Sequence, residues 1–313
     1  MNTDASVGTL FTALASKLGL QWAAGRTGEA RSIKHTDSET DGTTLVGHLN
    51  LIHPNRVQVV GITECRYLQK LHETSRRNFL DQLFDGTSDL IVIGDGEAAP
   101  DDIKQRSEAS ATPLLTSSQP TSQLVNYLQY YLTNLFARKI TLHGVFMEVF
   151  SVGLLITGDP SVGKSELALE LLARGHRLVA DDAPIFAKTA PEILSGRCPD
   201  ILRDFLEVRG LGILNIRAMF GDSAIKQARN LRLILKLVPM TEEQMHSIDR
   251  LHGARTTQTI LGIEIPEITL PVAPGRNLAV LAEAAARNHT LLVKGFESAK
   301  LYMDRQAHFM DNS

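Results

Sequence analysis

Apolar side chains recur at every third or fourth position in two stretches of the first half of the chain. In "VGTLFTALASKLGL", Leu10, Leu14 and Leu18 share one helical face and Gly19 ends the pattern. In "QLVNYLQYYLTNLFARK", Leu124, Leu128, Tyr131, Leu132, Leu135 and Phe136 form a second stripe, with a helix start at Thr121 or Ser122. Between these helices the period changes. "RVQVVG" alternates into Gly61 and reads as a strand, and "SDLIVIGDGEAAPDD" reads as a buried strand followed by a loop of Gly, Ala and Pro. "ATPLLTSSQPTSQ", rich in Ser, Thr and Pro, reads as a connector. The domain boundary falls within 117–138, giving an N-terminal domain over 1–132 and a C-terminal domain over 133–313.

In the second half, "KITLHGVFMEVFSVGLLITGDP" reads as two strands, the second running from Gly153 to Thr157 into a glycine-containing loop. A helix is predicted from about Lys164 to Arg174, with Gly175 at its C-terminal cap. "HRLVADDAPIFAK" reads as a strand interrupted by Asp181, Asp182 and Pro184. "LRLILKLVP" reads as a buried strand and "NLAVLAEAAARNHTLL" as an amphipathic helix. No internal repeat or low-complexity tract is present.

Length and composition narrow the function classes. At 313 residues the chain suits two domains, and 43% hydrophobic with 21% charged residues is ordinary for a globular protein. A net charge of −3 gives no basic excess for nucleic acid. No apolar run approaches the roughly 20 residues of a membrane span, and the N-terminus lacks the basic and apolar regions of a secretory signal. Cys65 and Cys198 have no metal-ligand spacing and read as free thiols of a reducing compartment. A cytoplasmic protein, with neither nucleic acid nor membrane as partner, is the expectation.

"GDPSVGKS" carries the first chemistry: Gly158, Asp159, Pro160, Ser161, Val162, Gly163, Lys164 and Ser165 match G-x-x-x-x-G-K-S between a strand and a helix. The glycines let successive backbone N–H groups turn inward, and the following helix adds its positive end. Lys164 is placed for outer phosphates and Ser165 for Mg²⁺. Asp181 and Asp182 follow Lys164 by 17 and 18 residues, so helix and strand are expected to be consecutive and adjacent. A carboxylate at a strand end beside such a loop holds metal or accepts a proton, which points to phosphoryl transfer onto a hydroxyl. Spacing alone does not choose between the two aspartates. A nucleotide-hydrolysing switch, a non-catalytic nucleotide sensor and a small-molecule kinase are the rival readings. The N-K-x-D base-recognition motif of GTPases is absent from the sequence.

"FLEVRGLGILNIRAMFGDSAI", residues 205 to 225, resembles the signature of the bacterial HPr kinase/phosphorylase family. The stretch from "LHGVFMEV" through "ADDAP" is similar to that family's catalytic segment, and "HPNRVQVVGITE", "TPLLTSSQPTSQL" and "PVAPGRNLAVLAEAAARN" extend the likeness to both ends of the chain. The resemblance implies an α/β fold: a small N-terminal α/β domain and a C-terminal P-loop kinase domain akin to phosphoenolpyruvate carboxykinase. It implies Mg²⁺- and ATP-dependent phosphorylation of a serine of HPr, the phosphocarrier of the sugar phosphotransferase system. It also implies phosphorolysis of the product by inorganic phosphate, giving pyrophosphate, and a homohexamer; pyrophosphate as an alternative donor stays open.

Site residues follow from the same resemblance. Asp182 corresponds to the catalytic carboxylate with Asp181 as its runner-up, and Glu207 to the metal ligand beside Ser165. Lys164, His143 and Arg250 correspond to the remaining catalytic positions. Glu207, Val208, Arg209, Gly210, Leu211, Gly212, Ile213 and Asn215 fall in the signature tied to both activities. Pro271, Val272, Ala273, Pro274, Gly275 and Arg276 match a loop tied to dephosphorylation. Taken alone, His143 reads as a core histidine and Glu207 with Arg209 as a solvated pair.

Overall fold

A computed structural model of the chain describes residues 6–34, 44–240, 255–273 and 275–311. The chain divides into two compact units, Met1–Phe136 and Ala137–Ser313. Among the described residues no helix is long and apolar enough to cross a membrane.

The first unit runs α1 (Val7–Leu18), β1 (Gln21–Ala24), β2 (Thr44–His48), β3 (Asn55–Val60), α2 (Ile62–Lys70), α3 (Glu73–Leu83), β4 (Leu90–Ile93), α4 (Asp101–Ser110), β5 (Leu114–Thr116) and α5 (Thr121–Phe136). Its sheet has the order β1-β5-β4-β3-β2, parallel except for β1. The strands are apolar on both faces because helices cover both. Leu90, Val92 and Leu115 pack with α1 and α5 on one side. Ile91, Ile93 and Leu114 pack with α2, α3 and α4 on the other. Each fully buried leucine or isoleucine contributes roughly 1.5–3 kcal/mol, enough to hold strands as short as β5. α1 ends on Gly19 at φ 59, the left-handed cap that the sequence implies. The segment read as a Ser/Thr/Pro connector instead contains β5: only three residues are extended, too few for a periodic signal, and turn-forming residues flank them.

The second unit contains β6 (Lys139–Thr141), β7 (Val145–Val149), β8 (Val152–Gly158), α6 (Lys164–Ala173), β9 (Arg177–Ala180), β10 (Ile185–Ala190), β11 (Ile193–Arg197), β12 (Phe205–Val208) and β13 (Gly212–Asn215). It continues with α7 (Ile216–Phe220), β14 (Ala228–Pro239), β15 (Arg255–Ile260), β16 (Ile263–Val272), α8 (Leu278–Val293) and α9 (Ser298–Asp311). The large sheet runs β6-β10-β11-β14-β8-β7-β9, and β16 pairs with both β14 and β15. Val145, Met147, Leu154 and Ile156 face α6 and α8. Phe146 points the other way, its ring 5.0 Å from that of Phe186. Three strands, not two, precede the loop: β6 is short and half-exposed, and its pairing with β10 is a long-range contact that no local pattern reveals. The aspartates likewise divide two separate strands, since β9 pairs with β7 whereas β10 pairs with β6 and β11. β9 is therefore not beside β8; β7 lies between them.

Candidate active site

The register brings three carboxyl ends together. Gly158, ending β8, lies opposite Leu237 of the parallel β14, and Pro239 of β14 lies opposite Val272 of β16. Loops leaving the carboxyl ends of parallel strands are where α/β sheets place ligands.

Local backbone demands shape the phosphate loop. Gly158 (φ 138), Ser161 (φ 65) and Gly163 (φ 104) all have positive φ. A Cβ on Gly158 would stand 2.5 Å from the Leu237 carbonyl oxygen, so glycine is obligatory there. Val162 is buried beneath the loop, while Asp159 and Pro160 are exposed. Lys164 Nζ donates to the carbonyls of Gly158 (2.9 Å) and Asp159 (3.0 Å), holding the ammonium over the loop. Ser165 follows in the first turn of α6.

Facing the loop, β9 ends at Ala180 and delivers the aspartates into different surroundings. Asp181 is buried, and its Oδ2 accepts the Glu207 N–H at 2.8 Å. Burial pushes its pKa up; the hydrogen bonds from Glu207 and Asp182 oppose this only in part, and the charges of Asp182 and Glu207 reinforce it. Asp182 sits at φ 62, and the Ala183 N–H donates to the Asp181 carbonyl at 2.8 Å. This bond closes a γ-turn with positive φ at its centre, a strained form in L-residues. The turn lifts the Asp182 side chain into the open, 77% exposed, with His143 Nδ1 3.8 Å from Oδ1. The Gly144 N–H donates to the Asp182 carbonyl (3.1 Å). A Cβ on Gly144 would stand 2.4 Å from the Ile156 carbonyl oxygen, so the "HG" pair fixes where His143 leaves the β6–β7 connection.

The third wall is the β12–β13 hairpin. Alternation along "FLEV" buries Leu206 and Val208 in the core and turns Glu207 outward into the cleft. Gly210 (φ 89) and Gly212 (φ 86) supply the left-handed residues of the turn. Arg209 Nη1 donates to Ser161 Oγ at 2.7 Å, tying the hairpin tip to the phosphate loop. At the hairpin base, Arg217 makes a two-pronged pair with Asp204, Nε to Oδ2 at 2.7 Å and Nη2 to Oδ1 at 3.1 Å, and also bonds Asp222. Together these walls enclose an open cleft of about 680 Å³.

Comparison with known proteins gives the arrangement its context. Residues 5–132 match the model described as the HPr Serine kinase N terminus, and residues 134–306 match the HPr Serine kinase C-terminal domain. The chain belongs to the HPr serine kinase family. Proteins named HPr kinase/phosphorylase from Stenotrophomonas maltophilia and Xylella fastidiosa are each 46% identical over 312 residues, covering 99% of both chains. The solved structure of the Hpr(Ser) kinase/phosphatase from Coxiella burnetii is 37% identical, covers 52% of this chain and 98% of its own, and has a TM-score of 0.47.

Of the residues singled out in the sequence, His143, Gly158, Pro160, Ser161, Gly163, Lys164, Ser165, Asp181, Asp182, Glu207 and Arg209 line the one cleft. Others stand elsewhere. Asn215 caps α7, its Oδ1 accepting the Ala218 N–H at 2.9 Å. Leu211 and Ile213 are exposed at 66% and 72%. Pro271 and Val272 end β16, and Gly275 and Arg276 are exposed beyond it; none of the four is among the residues that line the cleft. Arg250 and Pro274 lie outside the described residues. His143 is not a core histidine: its side chain is 88% exposed because the chain leaves β6 before reaching it. Gly144 is a site residue that sequence reasoning passed over; its signal was the glycine directly after a histidine at a strand boundary. The Arg209–Ser161 contact joins residues 48 positions apart and left no local signal.

Proposed function

We propose that the chain is a bifunctional HPr kinase/phosphorylase. It transfers the terminal phosphoryl group of ATP to a serine hydroxyl of HPr, and it moves that group from seryl-phosphorylated HPr to inorganic phosphate, releasing pyrophosphate. The observation that carries this reading is the opposition, within one open cleft, of the phosphate loop with Lys164 and the exposed Asp182–His143 pair. A cleft this open admits a protein loop, and among the described residues His143 is the one side chain paired with the Asp182 carboxylate, which leaves it open to an incoming hydroxyl.

In the forward direction the serine oxygen bonds to the terminal phosphorus as the bridging bond to ADP breaks. Asp182 accepts the serine proton, and His143, within 3.8 Å, steadies the carboxylate. In the reverse direction an oxygen of inorganic phosphate attacks the same phosphorus, and the departing serine oxygen recovers a proton from Asp182. Lys164 exchanges its loop carbonyls for phosphate oxygens, and Arg209, 2.7 Å from Ser161, stands ready to neutralise charge developing at the transferred group. Asp181, buried and bonded to the Glu207 N–H, positions the β12 strand and does not meet substrate.

Magnesium fits the donor set: it takes oxygen ligands, keeps waters, and needs only one or two groups from the chain when phosphates supply the rest. The Ser165 hydroxyl and the Glu207 carboxylate, both on the cleft wall, would hold it. When bound, the metal neutralises charge on the phosphate oxygens. A cytoplasmic location and a homohexamer complete the reading.

The test is incubation with HPr and Mg-ATP, with the phosphorylated residue identified by mass spectrometry. One phosphate on a serine of HPr supports the reading. ATP consumption with unmodified HPr overturns it.

A further inference from the structure

We propose that the first unit carries a binding site for a small zwitterion of the amino-acid class, in the crevice between the loops that follow β4 and β5. The inference concerns a different unit from the active site and does not rest on the phosphoryl-transfer reading. Its ground is topology. β4 and β5 are parallel neighbours, but the chain leaves them in opposite directions: α4 packs on one face of the sheet and α5 on the other. Such a divergence opens a crevice at the strands' carboxyl ends, the place where open α/β sheets bind ligands. A cavity of about 400 Å³ lies there.

The crevice is held open by bonds of its own. Asp95, at φ 58, accepts the Ile62 N–H on Oδ2 (3.1 Å) and the Thr121 N–H on Oδ1 (3.0 Å), so one carboxylate ties the starts of α2 and α5. The two loops are also joined directly, Asp95 N–H to the Gln119 carbonyl (2.9 Å) and Gly96 N–H to the Ser117 carbonyl (3.0 Å). A Cβ built on Gly96, at φ 74, would meet nothing within 4 Å, so its backbone faces open space. The site is preformed and does not depend on loop closure.

The lining selects the ligand. Among the described residues it contains no aromatic ring to stack a nucleobase and no large aliphatic side chain to hold a lipid tail. Lys104 is its one cation among the described residues and stands 3.2 Å from the exposed Asp101, so the site lacks the several positive charges a polyphosphate needs. What remains is one charge of each sign, Glu97 and Lys104, both half-buried, with the neutral Gln21 and Ser118 on the exposed rim. A molecule carrying both an ammonium and a carboxylate satisfies this pair: the ammonium binds Glu97, the carboxylate binds Lys104, and the remaining atoms reach Gln21 and Ser118.

The experiment is calorimetric titration of the full chain with each standard L-amino acid to about 10 mM, the range of weak metabolite affinities, with glucose as a neutral comparison. At least one amino acid is expected to bind. Glu97→Gln should weaken that binding tenfold or more and Ser118→Trp, which fills the crevice, should abolish it; neither should change the rate of HPr phosphorylation without amino acid. Melting curves report whether Ser118→Trp folds; if it does not, Glu97→Gln decides alone. No binding by any amino acid, binding that Glu97→Gln leaves unchanged, or binding of glucose alone would each overturn the proposal.

Discussion

At the scale of single residues, the two adjacent aspartates stand in different surroundings, one buried and one open, because one peptide unit turns between them. Asp182 holds φ 62, a region that Asn tolerates and a β-branched residue does not. Asp182→Asn and Asp182→Val should both lower phosphoryl transfer by about 10²–10⁴-fold. Only Asp182→Val should also lose about 1–3 kcal/mol of stability through backbone strain; denaturant titration of both variants checks this, and equal stability would contradict the strain. Asp181 couples stability to pH through its proton. Burial raises its folded-state pKa above the unfolded value, so the unfolded chain gives up this proton first as pH rises. The contribution of Asp181 to stability is therefore fully present below the ordinary aspartate value and falls as pH rises through the raised folded one. Asp181→Asn should melt at a higher temperature than the parent at pH 8, with the gap closing as pH drops towards 4. A variant that loses stability most at pH 8 would contradict this. Spacing left the choice between the aspartates open, and only the family resemblance favoured Asp182, because the bond from β12 that holds Asp181 comes from 26 residues away.

At the scale of elements, the phosphate loop was legible and its neighbours less so, for a physical reason. β8 is a continuous apolar run, α6 has a glycine stop, and the loop between them carries fixed glycine positions, so each piece is encoded within its own ten or so residues. β5 and β6 have three residues each and exist through pairing with distant strands, which no local period records. The signature segment lies between these cases. The alternation of "FLEV" encodes a strand with Glu207 facing out, but nothing in it says that Arg209 reaches Ser161. Gly158→Ala tests the packing of the loop on β14. The added carbon meets the Leu237 carbonyl at 2.5 Å, so the loop must shift. ATP affinity should fall at least about tenfold and stability by about 1–3 kcal/mol; unchanged ATP binding would show that β14 yields there.

At the scale of the whole molecule, each unit closes its own apolar cores, and the thiols Cys65 and Cys198 are buried one in each, both pushed up to about 11 chiefly by burial. Residues 137–313 alone should therefore fold and bind ATP as tightly as the full chain, measured by titration of the fragment; an unfolded fragment would contradict the division. The central claim is that one carboxylate serves both directions of one transfer. The most direct test takes seryl-phosphorylated HPr with inorganic phosphate, and unmodified HPr with Mg-ATP, each with the parent chain and with Asp182→Asn, following the intact mass of HPr and the release of pyrophosphate. The parent should remove and add one phosphate, and Asp182→Asn should fail in both directions by similar factors. A variant that loses one direction and keeps the other would contradict the account.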